Sequence, residues 1–128
     1  MNKKPFESSQ GPQAIGPYSQ CIESQGFFYI SGQIPIDPAT QKIIESTAIA
    51  DQTHRVLQNI KNILEARQLT LGHVIKTTIF LKNMSDFSTV NEIYGSYFTK
   101  PYPARSTVEV TKLPRDVLIE IETIATLT

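Results

Sequence analysis

Pro103-Ala104-Arg105-Ser106-Thr107-Val108-Glu109-Val110, continued through Leu113-Pro114-Arg115-Asp116 into Val117-Leu118-Ile119-Glu120-Ile121-Glu122-Thr123-Ile124-Ala125, is the stretch on which the architecture turns. Two runs rich in β-branched residues flank a proline-containing turn, a pattern that predicts a β-hairpin. Side chains alternate between faces along a strand, so Arg105, Thr107 and Glu109 share one face, and Leu118, Glu120, Glu122 and Ile124 share another. A turn symmetric about Leu113-Pro114 sets Arg105 opposite Glu122 and Thr107 opposite Glu120. One guanidinium and two carboxylates then meet on an otherwise apolar ribbon. Buried charges are costly unless paired. The pattern therefore means either an ion pair locking a sheet edge or subunit contact, or a functional site.

Composition narrows the classes. Twelve Lys and Arg balance twelve Asp and Glu, with no run of like charge, so no field draws the chain to nucleic acid or anionic lipid. With 40% hydrophobic and 19% charged residues over 128 positions, one domain with a real core is expected. The single cysteine, Cys21, excludes an intrachain disulfide and fits a reducing compartment. His54 and His73 stand apart from any metal-ligand spacing and read as surface or helix-end residues, so no metal is expected. Met1-Asn2-Lys3-Lys4-Pro5 leads into Glu7 and polar residues, not the apolar centre of a signal peptide. No apolar run approaches the roughly 20 residues that a bilayer span needs. The expectation is a soluble, cytoplasmic protein without membrane contact.

Residues 1 to about 17, rich in Ser, Gln, Gly and Pro, read as an extended approach to a single domain spanning 1–128, with 1–12 as the lead-in itself. Tyr18 to Ile22 and Phe27 to Ser31 read as strands joined by a turn at Ser24-Gln25-Gly26. Ser31-Gly32-Gln33 marks a bulge or a close backbone approach, and Asp37-Pro38-Ala39-Thr40 a turn. Ile49, Val56, Leu57, Ile60, Ile63 and Leu64 follow helical spacing within residues 47–67. Val74 to Leu81 is a central strand, apolar toward both faces near its end. Ser85 fits an N-cap for a second helix carrying Phe87, Val90, Tyr94, Tyr97 and Phe98, closed by Pro101 and Pro103. That aromatic stripe reads as core packing, without a cofactor role. An α+β fold follows: a mixed sheet with two helices on one face. The other face keeps Val, Ile and aromatic residues uncovered, which implies a partner, most simply further copies of the chain.

Several segments appear together in one order: Ala14-Ile15-Gly16-Pro17-Tyr18-Ser19-Gln20, Ser31-Gly32-Gln33-Ile34-Pro35, Lys76-Thr77-Thr78, Asp86-Phe87-Ser88-Thr89-Val90-Asn91, and Pro103-Ala104-Arg105-Ser106 through Ile119-Glu120-Ile121-Glu122. From about residue 12 onward the chain closely resembles the RidA family, also called YjgF/YER057c/UK114, of reactive intermediate imine deaminases. The resemblance implies a chorismate-mutase-like fold assembled as a homotrimer, its sheets lining a central barrel and its active sites in clefts between subunits. It also implies hydrolysis of enamine and imine intermediates, such as 2-aminoacrylate, 2-iminopropanoate and 2-iminobutanoate, to 2-oxo acids and ammonia, without a cofactor.

On the resemblance, the carboxylate-binding arginine falls on Arg105 and the water-orienting glutamate on Glu120. Both assignments suit the chemistry. A planar guanidinium grips a carboxylate through two parallel hydrogen bonds, and an imine carbon is electrophilic enough that positioning a water and moving protons suffices. Tyr18, Ser31 and Asn91 match pocket-lining positions, and the backbone near Gly32 and Thr107 adds polar contacts. The plainer alternatives are Tyr18 packing on the sheet, Ser31 serving only the bulge, and Glu122 acting as the counter-ion of Arg105 or as an interface group. Asn91, half-buried beside the apolar stripe of its helix, needs a partner and so fits a pocket or interface role. Many relatives carry cysteine where this chain has Thr107, so a thiol nucleophile is excluded there. Cys21 reads as a packed strand thiol.

Two rival functions use the same residues. One is a non-catalytic trimer that holds a 2-oxo acid on Arg105 for regulation. Glu120 speaks against it, since a carboxylate beside a bound anion is repulsive. The other is a single-strand endoribonuclease that inhibits translation. Zero net charge, no basic stripe and no histidine pair speak against that.

Overall fold

The computed structural model describes residues 2–128; Met1, the first residue of the expected lead-in, lies outside the described residues. Its six-stranded sheet is built from β1 (Lys4–Phe6), β2 (Cys21–Ser24), β3 (Phe27–Gln33), β6 (Val74–Leu81), β7 (Ala104–Glu109) and β8 (Ile119–Thr126), ordered β1-β2-β3-β8-β6-β7. A small two-stranded ribbon, β4 (Ile36–Asp37) and β5 (Lys42–Ile43), precedes helix α1 (Ile49–Ala66), and α2 (Phe87–Tyr97) joins β6 to β7. The fold is the expected mixed α+β domain with two helices on one face.

The expected hairpin of residues 103–125 is overturned. β7 pairs with β6 in parallel, Arg105 facing Thr77 and Thr107 facing Ile79, while β8 lies antiparallel on the other side of β6. The reason is connectivity. β6, α2 and β7 form one strand–helix–strand crossover, the connection parallel strands require. The Val110–Leu118 segment is long enough to carry the chain past β6 instead of folding straight back. Glu120 consequently faces Phe80 and Glu122 faces Thr78, and neither opposes Arg105 or Thr107.

Other differences are local. The first long strand begins at Cys21 and not at Tyr18, which lies in the preceding loop. Ser85 is not an N-cap: it sits inside a short 3₁₀ turn, Met84–Asp86, and α2 begins at Phe87. The lead-in carries a strand of its own, β1, antiparallel to β2. Gln20 pins the segment that follows, accepting from the Ser8 amide at 2.8 Å and donating to the Ser8 and Pro12 carbonyls at 3.1 and 2.7 Å.

The remaining expectations have visible causes. Gln25 and Gly26 both take positive φ, 54° and 83°, as a two-residue turn matched to strand twist demands. Along α1, Val56, Leu57, Ile60, Ile63 and Leu64 are buried at three- and four-residue spacing and join Phe28, Ile30, Ile79, Leu81, Ile119 and Ile121 in one core. Cys21 is buried in it, its thiol pushed up to about 12 by burial and then by Glu23 and Glu7, so it stays protonated. The helix-free face leaves Phe27, Tyr29 and Val108 some two-fifths exposed, at 39, 41 and 42%.

Arg67, just past α1, clasps Glu23 on β2: its Nε donates to Oε2 and its Nη2 to Oε1 at 3.0 Å. This bond holds the Glu23 carboxyl below its ordinary value of 4.5. A group with a lowered folded pKa stabilises the fold fully above its unfolded value and loses that contribution as pH falls through the folded one. Glu23→Gln should therefore lower unfolding free energy by about 1 kcal/mol at neutral pH. Urea midpoints for the two proteins should converge in acid; a gap that widens there contradicts the pairing.

Candidate active site

Glu120 is placed by β8, and Gly32 by the bulge that shifts the β3–β8 register between Ile30 and Gln33. The bulge brings backbone against the carboxylate: a Cβ on Gly32 would overlap Glu120 Oε2 and lie 2.9 Å from Cδ. Any side chain at this position would have to displace the Glu120 carboxylate from where it lies. Beside it, the Ser31 hydroxyl donates to the Ser19 carbonyl at 2.6 Å, so Ser31 serves the local backbone as well as the cleft. A cleft of about 540 Å³ is lined by Tyr18, Ser31, Gly32, Gln33, Arg115 and Glu120, among others. Tyr18 is 54% exposed at its mouth and does not pack on the sheet.

Burial, and secondarily the like charge of Glu122, raise the Glu120 carboxyl above its ordinary range. A carboxyl poised in this way exchanges protons nearer neutrality than an ordinary glutamate does.

Arg105 occupies different surroundings. In line with Thr77 and Thr123 across the sheet, it points to the helix side, where its guanidinium lies 4.9 Å from the Tyr94 ring centroid and 5.5 Å from that of Phe87. Cation–π contact fixes the planar group without consuming its donors. Tyr94 is held in turn by a 2.8 Å bond between its hydroxyl and Thr77 Oγ1. Its ionisation is pushed up by burial, against opposing pulls from Thr77 and Arg105, so the ring faces the cation as a neutral phenol. Asn91, Tyr94, Tyr102 and Arg105 line a second depression of about 430 Å³. Thr107 lies on the Arg105 side of β7, its Oγ1 buried and without a hydrogen-bond partner.

The seven singled-out residues thus fall into two groups within one protomer. Tyr18, Ser31, Gly32 and Glu120 gather at one cleft; Asn91 and Arg105 gather at the other, with Thr107 on their strand face. The counter-ion role for Glu122 fails, because the sheet separates it from Arg105 and it pairs with neither cation of the salt bridges found among the described residues. Asn91 is exposed, where a half-buried position was expected. The sequence pattern marks Phe87 and Tyr94 as core alone; their seven-residue spacing on one helix face is the signal that they seat a residue of the neighbouring strand. Among the described residues no three His, Cys, Asp or Glu side chains gather as a metal would require, and no helix is long and apolar enough to cross a membrane.

Comparison with known proteins gives a consistent result. Residues 8–127 match the family described as endoribonuclease L-PSP. A RutC family protein of Pyrococcus horikoshii is 53% identical over 123 residues, covering 96% of this chain and 97% of its own. The 2-iminobutanoate/2-iminopropanoate deaminase of Salmonella typhimurium is 45% identical over 125 residues, covering 95% and 96%. The crystal structure of the YjgF gene product from E. coli superposes with a TM-score of 0.89 at 43% identity, covering 98% and 99%.

Carbon-detected NMR titration of the Glu120 carboxyl should place its midpoint above the ordinary 4.5. Glu122→Gln should move that midpoint down without returning it fully, since burial is the larger cause. A midpoint unmoved by Glu122→Gln removes Glu122 from the site's electrostatics.

Proposed function

The chain belongs to the endoribonuclease L-PSP family, which includes the RidA proteins, and from that membership we propose that it is an imine and enamine deaminase. The substrates are small 2-imino acids such as 2-iminopropanoate and 2-iminobutanoate, together with the enamine 2-aminoacrylate. The products are 2-oxo acids and ammonia. The separation of Arg105 from Glu120 carries the reading: each lies in an incomplete cleft with its own matched neighbours, and a second copy would supply the missing half. The exposed Phe27, Tyr29 and Val108 on the helix-free face supply the apolar area for association, most simply a homotrimer.

In this reaction Arg105, seated on Tyr94 and Phe87, receives the substrate carboxylate through two parallel donors. The imine carbon then faces Glu120 of the adjoining copy across the seam. Glu120 takes a proton from a water as the water oxygen bonds to that carbon, and returns it to the imine nitrogen, giving a neutral carbinolamine. The hydroxyl proton then passes by way of Glu120 to the amine nitrogen, the C–N bond breaks, and ammonia leaves as the C=O forms. Water and imine in, ketone and ammonia out, the step balances without a redox partner. A glutamate near a bound anion is a penalty to a pure binder and an asset to a hydrolase, which favours turnover over regulation.

A dehydratase that generates the imine in situ, with 2-oxo acid release followed in the presence and absence of this protein, tests the activity directly. Arg105→Ala should lower kcat/KM by about 100-fold, with Arg105→Lys restoring only part. Glu120→Gln should slow kcat by about 100-fold while 2-oxo acid binding persists. Refolding the Arg105→Ala and Glu120→Gln chains together should recover activity that neither has alone; no recovery would count against a site shared between copies. Gly32→Ala, which drives a methyl into the Glu120 carboxylate, should cost at least about tenfold in kcat with the fold intact by circular dichroism.

A further inference from the structure

The cleft around Glu120 contains one cation, Arg115. It is carried in an unusual way. Arg115 (φ 55°, ψ 25°) and Asp116 (φ 58°) are successive non-glycine residues in the left-handed region, which L-residues enter against steric resistance. The turn is held from both ends: Leu113 and Val117 are buried, the Asp116 amide donates to the Leu113 carbonyl at 3.1 Å, and that of Val117 to Pro114 at 3.3 Å. Such strain persists only where the surroundings fix the backbone, and it concentrates at functional sites.

Arg115 is also uncommitted. Asp116 turns to Lys112 at 3.7 Å, and no ion pair among the described residues involves Arg115. Arg115 is exposed, and it forms no ion pair with Glu120. A free guanidinium on a braced turn, in the wall of a cleft with no other cation, fits a ligand anion better than it fits any group of the protomer.

The following rests on the deaminase reading, in which Arg105 takes the acid group beside the imine carbon. We infer that Arg115 is a specificity-determining residue that binds a second carboxylate, at the far end of the substrate, so that the site accepts imino acids formed from dicarboxylic amino acids. Arg105 then fixes the reacting end and Arg115 the tail. A substrate lacking the tail carboxylate loses this contact alone.

The test compares 2-iminoglutarate with 2-iminobutanoate, each generated in situ by an amino-acid oxidase, on the full-length protein. The ratio of kcat/KM for the dicarboxylic over the monocarboxylic imine should fall about tenfold in Arg115→Ala, chiefly through KM, and further in Arg115→Glu. Arg115→Lys should restore part of it. Arg115→Gly, which relieves the backbone, should show the same loss while remaining folded, separating charge from loop damage. In parallel, calorimetry should find 2-oxoglutarate affinity falling about tenfold relative to that of 2-oxobutanoate in the same variants. Turnover of both imines with ratios unmoved by Arg115→Gly overturns the inference and leaves the deaminase reading standing. A wild-type protein that hydrolyses neither imine, yet loses 2-oxoglutarate affinity on Arg115→Ala, overturns the deaminase reading and sustains the second-anion site.

Discussion

Facing positions on neighbouring strands point the same way, so Arg105, in line with Thr77 and Thr123, cannot share a face with Glu120, in line with Phe80. The sheet itself keeps them apart. This constraint follows from one topological choice, the placing of β6 between β7 and β8. It resolves a difficulty built into the residue pair. A guanidinium and a carboxylate free to meet would close on each other, and neither would be left for a substrate. Held on opposite faces of the sheet, the two charges do not spend themselves on each other.

The two charges are prepared by different physics. The faces of Tyr94 and Phe87 orient the Arg105 guanidinium without drawing on its N–H groups. Glu120 has its proton affinity raised, first by partial burial and then by the like charge of Glu122. Gly32 completes the second arrangement, since only a residue without a Cβ lets backbone lie against the carboxylate. The supporting residues matter as much as the charged ones.

Much of this was legible in the chain. The spacing of Val56, Leu57, Ile60, Ile63 and Leu64 gives α1, the Gln25-Gly26 turn gives the β2–β3 hairpin, and Gly32 announces a close approach. The partners of the last two strands are not legible in their own residues, because a β-rich run states that it is a strand but not beside which strand it lies. The crossover signal was present: a strand, an eleven-residue helix and a second strand in succession over Val74 to Glu109 imply parallel pairing. The near-symmetry of the two runs about Pro114 points the other way, to a hairpin. For the site, residue types were readable and their grouping was not, since the division into two clefts depends on strand register. Tyr94 shows the same limit: periodicity marks it as inward-facing, and only the placement of β7 turns an inward aromatic into a seat for Arg105.

β1 has a quieter consequence. It is three residues long, with Pro5 at its centre opposite Ile22, and proline offers no N–H to a neighbouring ladder. Open sheet borders invite uncontrolled stacking of strands from other molecules. On this side the protein ends its sheet with a border that cannot readily be extended, so any self-association is steered away from fibrous growth along that margin and toward closed assemblies that meet elsewhere.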